Sequence, residues 1–153
     1  MASGLYLNYK LQMLGAAAAA HTLVDWDNDT VKVGIVSGAD YSEDLTADVD
    51  WADITAKAAG YTLDTCYNSE ATQTLSNIDL TTTPGTVDNT ANITFTGVAI
   101  DGAKDVDGIV HYRASGSDAS TDPLLTFHDG FSAVTPNGGD IVIAYNASGI
   151  FSL

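Results

Sequence analysis

Positive charge is what this chain has least of. Five Lys and Arg stand against twenty Asp and Glu, giving a formal net charge of −15 and a pI near 4.1. Phosphate backbones and anionic lipids are held by clustered Lys and Arg, so neither a nucleic-acid nor a membrane partner is expected. Cysteine is almost missing as well. Cys66 alone permits no internal disulfide and no Cys-based zinc cage, and within Thr65-Cys66-Tyr67 it reads as a buried strand thiol. Long apolar runs are also lacking. Met1 to Gly15 has no basic segment followed by an apolar core, and Ala16–Ala20 is far shorter than a signal core or a membrane span. The expectation is a protein without an export signal that acts in the cytoplasm or in something assembled there. On that reading the Asn-x-Ser/Thr triplets at Asn28, Asn92 and Asn146 are chance matches rather than glycosylation sites.

Catalytic motifs are equally scarce. The sequence contains no Gly-x-Ser-x-Gly elbow, no phosphate-cradling glycine loop and no His-Glu-x-x-His. His21, His111 and His128 are dispersed. His111 sits in Ile109-Val110-His111-Tyr112-Arg113, where alternation makes it a solvated or interface histidine on a strand. His128 beside Asp129 resembles an oriented imidazole, but neighbouring strand residues point to opposite faces, so the pair reads as a strand end entering a turn. Asp25-Trp26-Asp27-Asn28-Asp29-Thr30 opens like a calcium loop and then departs from it. Thr30 stands where glycine is needed and Val36 where a bidentate glutamate belongs. Asp101 to Gly108 reads as a solvated acidic turn with Lys104 as its local counter-charge. The expectation is therefore no catalytic residue, no metal ligand and no cofactor. An acidic-cleft hydrolase using Asp25 and Asp27 is the enzyme alternative.

What the chain does have is a β texture. Its 153 residues suit one domain and its apolar share of 45% suits a sizeable core. Residues 1–20 hold the one expected helix. Leu7, Leu11 and Leu14 form an i, i+4, i+7 stripe, and the alanines add helix propensity. A short second helical turn is expected at Asp50–Ile54, with Trp51 and Ile54 as anchors. From Val31 the period becomes two, with Val31, Val33 and Ile35 alternating with Lys32 and Gly34. Further strands are expected at Tyr61–Tyr67, Thr74–Leu80, Asn92–Ile100, Gly108–Arg113, Leu124–His128, Asp140–Tyr145 and Gly149–Ser152. Turn residues separate them, and Asn137-Gly138 suits a tight hairpin. The pattern specifies an all-β fold, an antiparallel sandwich or jelly roll over 21–153 preceded by a short N-terminal helix or arm over 1–20. Trp26, Trp51, Tyr41 and Tyr61 lie near acidic residues. Aromatics so placed serve cores, interfaces or sugar-stacking platforms.

Several stretches in order resemble the small, acidic, β-rich virion proteins encoded among the structural genes of tailed bacteriophages. They begin with Gly4-Leu5-Tyr6 and Leu11-Gln12-Met13-Leu14-Gly15. Val24-Asp25-Trp26, Asp29–Val36, Ala39–Ser42 and Trp51–Ile54 follow. Downstream come Ile109–Tyr112, Ser115–Ser117 and Pro123–Leu125. The most specific is Val134-Thr135-Pro136-Asn137-Gly138-Gly139-Asp140-Ile141-Val142-Ile143, before the closing Gly149-Ile150-Phe151. Arg113 departs from the pattern, standing where such proteins often carry Lys or Asp. The resemblance implies a virion structural subunit with no catalytic residues. Its first form is a capsid decoration or cement protein, a homo-oligomer (trimer) at threefold positions, bound to the major capsid protein or other virion subunits. Leu5, Tyr6, Tyr9 and Leu11 in the N-terminal arm, with Trp26 and Trp51, are the partner-binding candidates. The alternatives are a tail, neck or baseplate component and a carbohydrate- or receptor-binding module.

Overall fold

The valine and isoleucine alternation in the middle and late chain builds an antiparallel sheet. In the computed structural model, which describes residues 4–16, 21–57, 72–76, 78–80, 86–99, 104–115, 119–145 and 149–152, the chain is mostly β. Its elements are β1 (Gly4–Leu5), α1 (Leu7–Met13), β2 (Val31–Val36), α2 (Trp51–Lys57), β3 (Thr72–Thr74), β4 (Ile78–Asp79), β5 (Thr86–Asn89), β6 (Ile93–Phe95), β7 (Gly108–Arg113), a 3-10 helix (Ala119–Thr121), β8 (Leu124–His128), β9 (Ile141–Ile143) and β10 (Phe151–Ser152). Five strands pair in the order β1-β8-β7-β2-β3. Three more follow β10-β5-β4, and β6 pairs with β9. Every pairing is antiparallel.

Register and the period of two assign the side chains of the central strands to faces. Val33 pairs with His111, Ile35 with Ile109, His111 with Thr126 and Ile109 with His128. These side chains share one face. Gly34, Val110 and Phe127 share the other, with Tyr112 beyond a bulge at His111/Tyr112. Both faces are covered, because β7 is buried from Gly108 to Tyr112 and β8 from Leu124 to Phe127. On the second face, Trp51 stacks on Tyr112 at 4.3 Å between ring centroids and 15° between planes. Gly34 leaves the space for it. A methyl group there would stand 2.5 Å from Trp51 Cη2.

Trp51 is delivered by a short, well-capped helix. Asp50 Oδ1 accepts from the Ala52 amide at 3.0 Å, and Asp53 Oδ2 reaches back to the Asp50 amide at 3.2 Å and the Val49 amide at 2.7 Å. This is a reciprocal capping box with aspartate in both roles. It satisfies amide donors that a helix start leaves open. The expected anchors are buried, Ile54 completely and Trp51 to 9% exposure. Beside it, Tyr41 Oη donates to the buried Asp48 Oδ2 at 2.8 Å, so Tyr6 Oη is the donor in the 2.7 Å contact between the two tyrosines. Lys57 Nζ closes the network 2.6 Å from Asp48 Oδ1. Burial pushes both phenols well above the ordinary tyrosine range.

Helix α1 forms where the leucine stripe predicts, but it turns the other way. Asn8, Tyr9 and Gln12 face inward, while Leu7 and Leu14 are exposed. The tyrosine decides the rotation. Tyr9 Oη accepts from Trp26 Nε1 at 2.7 Å, and both rings pack against Phe151. A hydrogen-bonded aromatic trio outweighs a thin aliphatic stripe in choosing the buried side.

Strands β7 and β8 have the expected bounds, and β2 runs one residue past Ile35. The expected Thr74–Leu80 strand divides into β3 and β4, which belong to different sheets. β1 and β5 were not anticipated, because Gly4-Leu5 is too short for a period and Thr86-Val87-Asp88-Asn89 carries turn-type residues. Tyr61–Tyr67, Cys66 and most of the alanine run lie outside the described residues. Asn137-Gly138 is not a hairpin turn. Gly138 takes a φ of 84°, its amide donates to the Val98 carbonyl, and the Val98 amide donates to the Gly139 carbonyl. The turn thus lays β9 on β6, nearly fifty residues upstream in sequence by the β6–β9 register.

Gly34→Ala is expected to lower unfolding stability by about 1–3 kcal/mol through overpacking against Trp51. Gly130→Ala, which meets open space, is the matched control. Urea denaturation of the two variants measures the difference, and equal midpoints would refute the role given to Gly34.

An apolar cleft beside a histidine pair as candidate functional site

The first face of the five-stranded sheet is only partly filled, and the remaining space is a cleft of about 540 Å³. Ile35, Ile109 and His128 form its sheet side. Val106, the Gly130–Val134 segment and residues 141–145 supply other walls, with Gly149 and Ile150. Three of the lining side chains are large, apolar and open to solvent: Val142 at 54%, Val134 at 40% and Phe131 at 38%. β9 explains one of them. A strand with one wet face should put a polar residue outward, yet the outward position of Ile141-Val142-Ile143 is Val142.

Beneath the cleft His111 is fully buried, with both ring nitrogens engaged. Nδ1 lies 2.7 Å from Thr126 Oγ1 and Nε2 lies 2.8 Å from Tyr145 Oη. A neutral imidazole donates at one nitrogen and accepts at the other, which this pair of hydroxyls satisfies. Thr126 belongs to β8 and Tyr145 follows β9, so the ring ties the cleft wall to the sheet. The sequence pattern reads His111 as a solvated or interface histidine on a strand, whereas it is fully buried. The one-wet-face alternation behind that expectation fails because both faces of the sheet are covered. Burial pushes His111 down to about 3, and the neighbouring His128 adds to this. The two rings meet edge to face with centroids 5.5 Å apart. His128 ends β8 as expected. Burial lowers it too, against the opposing pull of Asp129, and its shielded Nε2 has no hydrogen-bond partner.

The partner-binding candidates do not converge on this cleft. Tyr6, Tyr9, Trp26 and Trp51 are buried in the chain's own core, and Leu5 and Leu11 are half-buried. Tyr41 is buried as well. The calcium-like loop is a self-satisfied turn: Asp25 accepts from Asn28 Nδ2 at 2.8 Å and from the Asp27 amide at 3.1 Å. Asp29 accepts from the Asp25 amide at 2.9 Å. The Asn28 side chain leads in holding the Asp25 carboxyl below its usual range. Among the described residues no group of three or more His, Cys, Asp or Glu is placed to hold a metal ion. Lys104 reaches out of its own turn to Asp40, 3.0 Å away.

The cleft itself was missed. The legible signal was the pair Val134 and Val142, apolar on either side of a polar turn.

The buried histidine carries a pH signature. Below about 6.5 the unfolded chain takes up a proton at residue 111 that the folded chain refuses until about 3. Its contribution to stability is therefore complete above 6.5 and is lost as pH falls through that window, by up to about 5 kcal/mol at 1.36 kcal/mol per unit. His111→Gln should flatten the pH dependence of unfolding stability there. Tyr145→Phe, which keeps the histidine but strips one partner, should cost about 1–3 kcal/mol near neutral pH. An unchanged pH slope in His111→Gln, or imidazole resonances of His111 that titrate near pH 6 to 7 in the wild type, would refute the assignment.

No protein-family model, no curated protein and no solved structure matches the chain.

Proposed function

We propose that this protein is a structural subunit of a tailed-phage particle, of the capsid-decoration type, that works by docking on another virion protein. The observation that carries the reading is the solvent-open apolar cleft, bordered by the stretch Val134–Ile143 on which the resemblance to virion proteins chiefly rests. Contiguous apolar side chains open to water are unfavourable in an isolated chain and mark a surface that is covered in use. The net charge of −15 supplies long-range attraction to a basic partner surface and solubility before assembly. Of the four aromatics behind the carbohydrate-module alternative, Trp26, Trp51 and Tyr41 are buried and present no face for a sugar ring, and Tyr61 lies outside the described residues. In fold terms the reading goes with a sandwich or jelly roll, supported by the five-stranded sheet being covered on both faces.

Purified chain added to heads that lack it should bind saturably and raise their resistance to heat, and the binding should weaken as salt rises. Tails and baseplates assayed in parallel separate head decoration from a tail role. Binding to neither would overturn the proposal.

A further inference from the structure

We infer that the cleft is the docking site itself, and that its occupant is an extended apolar segment of a different protein, flanked by lysine or arginine. This rests on the structural-subunit reading and goes on to name the partner's chemistry. The apolar part of the occupant follows from the walls: Ile35, Ile109, Val134 and Val142 offer dispersion and burial. Burial favours the neutral form of His128, in keeping with an apolar lining.

The basic flanks follow from the charge of the chain, −15 in all. Asp105 and Asp107 bracket Val106, Asp129 follows His128, and Asp140 precedes Ile141, so four carboxylates, with Lys104 beside Asp105, sit next to lining residues in sequence. Three of them are already fixed in place. Asp105 accepts from Thr135 Oγ1 at 2.6 Å, Asp107 from the Gly38 amide at 2.6 Å, and Asp140 from the Gly97 amide at 2.9 Å. A carboxylate accepts more than one hydrogen bond, so each keeps capacity toward solvent. None of the chain's five cationic side chains lines the cleft. A second copy would bring its own −15 against a chain of the same charge, and like charges oppose that contact. The complementary occupant is apolar where it enters and positive where it leaves.

Three designed peptides probe this on the intact chain: an apolar β-prone core with lysine flanks, the same core with glutamate flanks, and a Ser/Gly core with lysine flanks. Binding is followed by amide chemical shifts and by fluorescence anisotropy of the labelled peptides. The first peptide should bind and move resonances at Val134, Ile141 and Val142. The glutamate-flanked and polar-core peptides should bind at least about ten-fold more weakly. Val142→Asp places a charge at an exposed position, so the fold is kept, and it should abolish binding. Equal binding of the three peptides, shifts confined to other surfaces, or binding that survives Val142→Asp would overturn the inference. Concentration-dependent self-association in sedimentation that disappears in Val142→Asp would overturn it in favour of a second copy. Adding Val142→Asp to particles keeps the two proposals apart. If the wild type binds particles and the variant binds equally well, the cleft falls and the structural role stands. If the wild type does not bind particles, the structural role falls while the peptides still decide the cleft.

Discussion

The His111 imidazole, held between Thr126 and Tyr145, is the contact on which the cleft depends. It lies in the central β7 strand and is completely buried, so neither ring nitrogen has water to fall back on. A buried imidazole with one nitrogen unpaired would lose the desolvation energy of a polar group with nothing in return. The two hydroxyls remove that penalty only if Tyr145 stays over the sheet, and Tyr145 is two residues beyond β9. The short β6–β9 ribbon has three residue pairs of its own, too few to hold a fixed position unaided. The histidine therefore helps set where the ribbon lies, and the space left between ribbon and sheet is the cleft.

A second constraint comes from the shortage of cations. With twenty carboxylates and five basic side chains, most acids have no ion-pair partner to find. Many turn instead to backbone amides. Asp50 and Asp53 cap α2, Asp44 holds the amides of Thr46 and Ala47, Asp122 holds that of Ser115, and Asp25 closes its own turn. A carboxylate that accepts from an amide fixes a loop without needing a lysine. The acidic clusters that resemble ligand sets in the sequence are thus partly loop architecture. Only Asp48 is both deeply buried and paired with a cation, Lys57, among the described ion pairs.

Legibility followed from this physics. Gly108–Arg113 and Leu124–His128 were readable to the residue because β-branched and aromatic runs bounded by Gly, Pro and Asp leave little freedom. The Trp51 helix was readable from its anchors, and its capping box was present in the spelling Asp50-x-x-Asp53. The rotation of α1 was not, because a leucine stripe and a Tyr9–Trp26 hydrogen bond favour opposite faces and only the tertiary partner decides. His111 was misplaced for a related reason. Period-two reasoning assumes a wet face, and whether Trp51 and Tyr145 will cover both sides depends on residues 60 and 34 positions away by sequence number. The cleft was invisible because it is a missing contact, and a sequence pattern reports where apolar residues are, not where packing stops.

That incompleteness is informative in its own right. The second face of the sheet is closed with little waste: Trp51 fills the space above Gly34, and Tyr41 meets Phe127 edge to face at 6.0 Å. The first face has the same kind of side chains available, yet Val134, Val142 and Phe131 stay in water beside a space that would accept them. The close contacts of Trp51 with Gly34 and Tyr112 on one side show that the sequence can specify tight packing. The opening on the other side is therefore not explained by a shortage of apolar residues. Its wall is tied to the sheet by His111, and carboxylates next to lining residues in sequence are already anchored to backbone and hydroxyl donors, so collapse would strain the one and disturb the other. A surface that is apolar and held open gains free energy by being covered from outside.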